Sequence, residues 1–215
     1  MIRHHPQADI LRRHAVGALS PGLALAVACH VDVCAVCDAA VAAWESFGGA
    51  LLQSAPRVPL SPGALERTAV KIGATPSLRR EQVPGFLKRF SLPAPLRSQA
   101  FGARRWVSPN IWVAPVRVEK TSNAARTYLI CARPGTAIPK HAHGGAEFTS
   151  VLHGSFADDG NVYDEGDFAR SKRGDVGSPT ATAQDDCLCL VGAEAPMQFF
   201  SVSARAAQFL SGAVY

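Results

Sequence analysis

His30-x3-Cys34-x2-Cys37 puts an imidazole and two thiols into one short run of the chain. Thiolates and imidazoles are the donors that zinc selects, and a structural zinc site closes with four of them in a tetrahedron. The fourth donor must come from outside the run. His4, His5 and His14 lie upstream, and His5 is the preferred one. A ligand near the chain start, drawn onto a helix pair, would fix a small region that has little core of its own.

A second pattern, Gly135-x5-His141-x-His143-x3-Glu147-x6-Gly154, is equally dense. His141 and His143 are two apart on a predicted strand, so both face one side. Gly144-Gly145 permit a sharp change of direction, and Glu147 can return to the same interior on the next strand. Two imidazoles and a carboxylate facing one cavity make a site for a divalent metal. Solvated histidines at a strand end are the plainer alternative. Cys187-x-Cys189 also reads as strand, with both thiols on one side and Cα atoms about 6.6–6.8 Å apart, at the far limit for a disulfide. The pair reads as two small buried residues, with oxidant-sensitive thiols as the alternative. Asp185 and Asp186 beside them give no reason for a lowered thiol pKa. Cys29 and Cys131 read as small buried residues, and His14 and His153 as solvent-facing.

Elements must hold these residues in place. Residues 7–75 read as short helices: Asp9 to Leu19, Leu23 to about Val31, Cys34 to Leu52, and Gly63 to Ile72. Ser20-Pro21 and Ser61-Pro62 are start signals, a capping hydroxyl followed by proline at the first helical position. Val36, Ala40, Val41, Trp44, Phe47 and Leu51 keep close to a 3.6-residue period. Trp44, Phe47 and Leu51 read as core, with a partner-facing role as the alternative. Pro76 to Ala100 has four prolines and no sustained period. It reads as an inter-domain linker with one short helical turn near Phe86–Phe90. From Phe101 the pattern is β. Ile111–Val113, Val116–Val118, Thr127–Ile130, Phe148–Leu152, Cys187–Val191 and Gln198–Phe200 are short strands parted by Gly, Pro and Asp turns, which suggests a sandwich or jelly-roll barrel. The fold class is therefore α+β in two domains: residues 1–75 helical, 76–99 a basic linker, and 100–215 β.

The chain has 215 residues and a formal net charge of +5. Residues 76–99 hold five basic residues and one acidic, while residues 100–215 hold eleven of each. The excess sits in the linker, which argues against a dedicated nucleic-acid surface. Six cysteines in this clustering fit metal or thiol chemistry in a reducing compartment. Arg12-Arg13 before an apolar run to Cys29 imitates a lipoprotein leader, but Asp9 and Ser20-Pro21-Gly22 interrupt the pattern. No run approaches the roughly 20 apolar residues of a membrane span.

The stretch from Gly135 to Gly154 matches the first cupin motif at each spacing. His30-x3-Cys34-x2-Cys37 resembles the zinc-binding anti-sigma domain. Together, with the Arg3-His4-His5 start, they resemble the ChrR-type anti-sigma factors over nearly the whole chain outside the linker. The resemblance implies a four-helix N-terminal domain holding zinc on His5, His30, Cys34 and Cys37. That domain would bind a sigma factor of the extracytoplasmic-function group and block its access to core RNA polymerase. A cupin-like barrel would serve as sensor or tuning module. It also implies a cytoplasmic regulator without catalysis, direct nucleic-acid contact or a membrane anchor, releasing its partner on a stress signal, with oxidation as the expected one.

One position departs from the family pattern. The cupin site has a further histidine shortly before a proline, and counting back from Pro179 places Gly177 there. The barrel site is thus reduced to His141, His143 and Glu147. Water completes the shell, or Asp175 substitutes, or the metal is lost. The alternative function is a metal-dependent cupin dioxygenase using His141, His143 and Glu147 as a two-histidine, one-carboxylate triad. A DNA-binding zinc protein is disfavoured by the near-neutral regions on either side of the linker.

Overall fold

Helix-forming residues open the chain, in α1 Ala8–Ala15, α2 Pro21–Val31, α3 Ala35–Ser54 and α4 Ala64–Ala74. The computed structural model describes residues 1–74, 83–118, 126–182, 184–202 and 204–205. Pro21 starts α2 as expected, yet the Ser20 hydroxyl makes no capping hydrogen bond. Pre-set backbone angles at proline suffice to begin the helix. After a single 3-10 turn, Gly85–Leu87, and the short α5, Ala94–Arg97, the chain becomes β. The strands are β1 Ala100–Phe101, β2 Arg105–Ser108, β3 Ile111–Arg117, β4 Arg126–Ala132, β5 His141–His143, β6 Glu147–His153, β7 Ser155–Asp158, β8 Asn161–Asp164, β9 Phe168–Ser171, β10 Val176–Gly177, β11 Thr180–Ala181, β12 Cys187–Ala193 and β13 Met197–Phe199.

A seven-stranded antiparallel sheet runs β1-β3-β4-β12-β6-β9, with β2 also on β3. Two three-stranded sheets, β10-β5-β13 and β11-β7-β8, lie over its inner face. The break expected at Pro115 does not occur. Pro115 pairs with Tyr128 where the neighbour of β3 changes from β2 to β1. A residue without an N–H is tolerated at such a join.

Alternation decides what each face touches. Leu188 and Leu190 of β12, Leu129 and Cys131 of β4, and Trp112 and Ala114 of β3 point outward into one apolar cluster. Cys187 and Cys189, Ile130 and Ile111 point inward into a second. The outward cluster is closed by Leu25 and Cys29 of α2, and by Leu87, Phe90, Leu92 and Leu96. Residues 83–97, expected as linker, are therefore packed on the sheet. Prolines stop regular helix there without stopping burial of the leucines and phenylalanine between them. Residues 75–82 lie outside the described ones.

α2 is apolar all round because it is covered on both sides. Leu25 and Cys29 face the sheet, while Leu23, Ala26 and Val27 pack with Ile10 and Leu11 of α1 and Val41 of α3. Its start lies so close to β12 that a Cβ on Gly192 would fall 2.2 Å from the Gly22 carbonyl oxygen. No residue larger than glycine fits position 192 without separating helix from sheet.

α3 behaves differently along its length. Cys37 and Val41 are its buried residues. Beyond them the helix stands clear, and Trp44, Phe47, Leu51 and Leu52 are exposed, as are Leu65, Val70 and Ile72 of α4. Trp44, Phe47 and Leu51 are thus not core. The 3.6-residue period marks a stripe but does not say what covers it. By length and composition α3 is also apolar enough to cross a membrane, contrary to the sequence expectation, since Asp38 and Glu45 interrupt the run without breaking the helix. His14, expected in solvent, is half-buried, and burial lowers its pKa.

Candidate metal centre

The first turn of α3 carries Cys34 at the N-cap and Cys37 three residues on. Free backbone N–H groups at a helix start favour negative charge, which suits the donors of a cation site. His30 comes from the last turn of α2, and His5 from the arm before α1. Donor atoms of His5, His30, Cys34 and Cys37 all lie within 4.8 Å of one another. Cys34 Sγ is 3.3 Å and Cys37 Sγ 3.4 Å from His5 Nδ1, and His30 Nε2 is 3.3 Å from Cys37 Sγ. A tetrahedron with zinc–nitrogen and zinc–sulfur bonds of ordinary length has edges of about 3.6 Å, so the donors already stand close to that spacing.

Their protonation fits a cation too. Burial, with the Cys34 thiol alongside, pushes Cys37 up to about 12. Cys37 holds its proton until a positive ion displaces it. Burial lowers the His30 pKa and keeps the ring neutral. His30 Nδ1 donates to the Gly166 carbonyl at 2.8 Å, which leaves the Nε2 lone pair facing the cysteines.

That carbonyl belongs to the β region, and the contact is part of a larger clasp. Gly166 has φ +90°, and a Cβ there would lie 2.9 Å from the Ile2 side chain. The next residue, Asp167, is fully buried. Its Oδ1 accepts the amides of Arg3 at 2.7 Å and His4 at 3.0 Å, and its Oδ2 accepts the amide of Asp164 at 2.9 Å. Burial alone would raise this carboxyl, but the three amides outweigh it and hold its pKa below the ordinary value. The Phe168 amide donates to the His4 carbonyl at 3.0 Å, so the arm bearing His5 runs along β9.

The second constellation lies between the sheets, in a cavity of about 350 Å³. His141 and His143 flank Ala142 on β5, with ring centroids 4.9 Å apart. His141 Nδ1 faces the Pro139 carbonyl at 2.9 Å, leaving the other nitrogen for the cavity. Glu147 starts β6, and its Oε2 is 3.5 Å from His143 Nδ1. Neither of those two buried atoms has a hydrogen-bond partner, and a cation would satisfy both. Burial lowers the His141 pKa. Burial also pulls His143 down, but Glu147 beside it, with Asp175 and Asp158, leaves that pKa raised. Gly177 pairs with His141 and offers no side-chain ligand.

Cys187 and Cys189 line the same cavity with sulfurs 3.7 Å apart. Their mutual contact and burial push the Cys189 thiol up, and all six cysteines are free. Cys29 and Cys131 are buried, each pushed up to about 12, chiefly by burial. His153 is half-buried, with Nδ1 3.1 Å from Glu165. The sequence reading missed Asp167 as the anchor of the His5 arm. Its signal in the sequence is Gly166-Asp167 together with the Arg3-His4-His5 start.

Comparison with known proteins adds three findings. Residues 100–196 match the family described as the ChrR cupin-like domain. The chain is 32% identical over 206 residues to the anti-sigma-E factor ChrR of Cereibacter sphaeroides, covering 93% of each protein. It is also similar to a chain in the crystal structure of Rhodobacter sphaeroides SigE in complex with the anti-sigma ChrR. That match has a TM-score of 0.70 and 28% identity, and covers 90% of this chain and 99% of the other.

Proposed function

This chain belongs to the family of ChrR anti-sigma factors, which are non-enzymatic regulators, and from that we propose that it sequesters a sigma factor of the extracytoplasmic-function group. The observation that carries the proposal is the contrast along α3. Its base is gathered by four metal donors, while its outer part presents Trp44, Phe47 and Leu51 to solvent. Exposed apolar surface of this extent marks a binding face, and Leu65, Val70 and Ile72 of α4 add to it. Zinc on His5, His30, Cys34 and Cys37 sets the angle at which α3 leaves the molecule.

Residues 1–75 would form the inhibitory region and residues 100–215 the sensing one, with 76–99 joining them, all in the cytoplasm. A second divalent metal would sit with His141, His143 and Glu147. Cys187 and Cys189, facing the same cavity, are the candidates for oxidation, and release of the sigma factor would follow. Family membership gives no support to the dioxygenase alternative.

The test is capture of a purified sigma factor of this group by the zinc-loaded chain. Wild type should retain it, while H30A and C34S should lose both zinc and partner. A zinc-loaded wild type that retains no sigma factor defeats the proposal.

A further inference from the structure

We propose that Asp158 supplies the ligand that position 177 lacks. The pocket is then a two-imidazole, two-carboxylate site of His141, His143, Glu147 and Asp158 for a six-coordinate divalent cation of the manganese or ferrous-iron class. The inference rests on the reading of this pocket as a metal site, and goes beyond it in the fourth ligand and the ion.

The geometry begins at Gly177, which is buried and pairs with His141. A Cβ built there would lie 3.0 Å from Asp158 Oδ2 and 3.6 Å from its Oδ1. The carboxylate therefore fills the volume that a side chain at 177 would enter. Glycine at 177 and aspartate at 158 form one arrangement, not a vacancy with a bystander. Asp158 faces this way because it is two residues from Phe156 on β7, and Phe156 is buried in the inter-sheet core. The Ser178 amide donates to Asp158 Oδ1 at 3.2 Å. That contact fixes the group and leaves Oδ2 as the oxygen nearer Gly177.

Two buried atoms in the same cavity face each other at 3.5 Å without a hydrogen bond. His143 and Glu147 are 7% and 8% exposed, and neither His143 Nδ1 nor Glu147 Oε2 makes a hydrogen bond. A cation within reach of both would satisfy them and neutralise the Glu147 and Asp158 carboxylates that line the same cavity. Asp175, the other acidic residue nearby, is exposed and its Oδ2 accepts the Lys172 amide at 2.7 Å. It is committed to a turn.

The class of ion follows from donor type. Two carboxylates in place of a carboxylate and a third imidazole make the set harder, which suits manganese and ferrous iron. Among the described residues, the donors that converge within 4.8 Å are those of the N-terminal group. Zinc keeps its general advantage over manganese at nitrogen and oxygen sites, and the second carboxylate narrows it.

The experiment uses the full chain. Manganese binding is followed by electron paramagnetic resonance, zinc content by elemental analysis, and fold by thermal melting. Wild type should carry one zinc that survives dialysis and bind one further Mn2+. D158A and D158N should weaken Mn2+ binding by at least about tenfold and leave the dialysis-resistant zinc unchanged. D158N keeps an oxygen for the Ser178 amide and so guards against a folding artefact. The double variant D158A/G177H should bind a second zinc, with a zinc-to-manganese preference at least about tenfold above wild type. A wild type that takes up no second ion of either kind overturns the reading of the pocket as a metal site. Mn2+ binding unchanged in D158A and D158N, or an unchanged zinc-to-manganese ratio in the double variant, overturns the assignment to Asp158 alone.

Discussion

The donors at the base of α3 close on one another, whereas those in the barrel pocket stand apart around open space. Both clusters use histidine with acidic or thiol partners, and both fix a histidine by tying its Nδ1 to a backbone carbonyl, Gly166 in one case and Pro139 in the other. They differ in what surrounds them. The N-terminal group sits where α1, α2 and α3 meet, and its four residues are gathered from three separate stretches of chain. Without its ion, the α2–α3 corner and the His5 arm depend on the apolar cluster and the Asp167 carboxylate alone. The pocket lies inside a sheet framework with its own apolar clusters on both faces of β12. An ion there can come and go without the frame collapsing. One site therefore determines shape, and the other can report on its surroundings.

The strongest test of that contrast is metal removal. Stripping the zinc proposed for the N-terminal group, or substituting C34S, should unfold α1 and the base of α3, because apparent zinc binding energies at such sites reach about 10 kcal/mol or more. Hydrogen exchange would show protection lost over α1 and the first turns of α3 and kept over β3, β4, β6 and β12. Equal loss in both regions would erase the distinction.

A smaller effect is expected at the clasp between them. D167A leaves three backbone amides without their acceptor and should cost about 3 kcal/mol, read by denaturant unfolding of the zinc-loaded chain. The sign of the pH dependence follows from the lowered pKa of Asp167. Its contribution is fully present above the unfolded carboxyl value of about 3.9 and is lost as pH falls through the lower folded value. The stability gap between wild type and D167N should be constant from roughly pH 5 to 7, above both values, and should shrink below about pH 4.

On the partner face, F47D and L51D should each weaken sigma-factor capture by about 2 kcal/mol while leaving zinc content unchanged. Calorimetry on the zinc-loaded variants separates this from a folding defect. The least effect is expected from R3A. The Arg3–Asp164 pair is about half exposed on each side, so its loss should cost no more than about 1 kcal/mol. A larger loss would mean that the arm is held by side-chain charge and not by the Asp167 carboxylate.

Spacing made the donors legible. His30, Cys34 and Cys37 fall where an α2–turn–α3 corner must bring them together, and His141-x-His143 marks a strand by its period of two. Helix starts at proline were legible for the same local reason. Long-range packing was not. Nothing within residues 83–97 announces that Leu87, Phe90, Leu92 and Leu96 would close the outer face of a sheet built from residues up to 100 positions later. Trp44, Phe47 and Leu51 have the period of a core stripe, and only the absence of any element over them among the described residues shows that they face outward. Gly177 was readable as a lost histidine, but its companion Asp158 lies on another strand. Their relation exists only once β7 and β10 are folded towards each other.

α3 is fixed at Cys37 and Val41 and free beyond, so it is a cantilever. From Val41 to Ser54 the overhang is about 20 Å. Tilting its root by about 10° would sweep the tip through roughly 3.5 Å, close to the width of an atom and its neighbour. A disturbance at Gly166 too slight to alter the barrel would thus arrive at Leu51 magnified, by leverage alone.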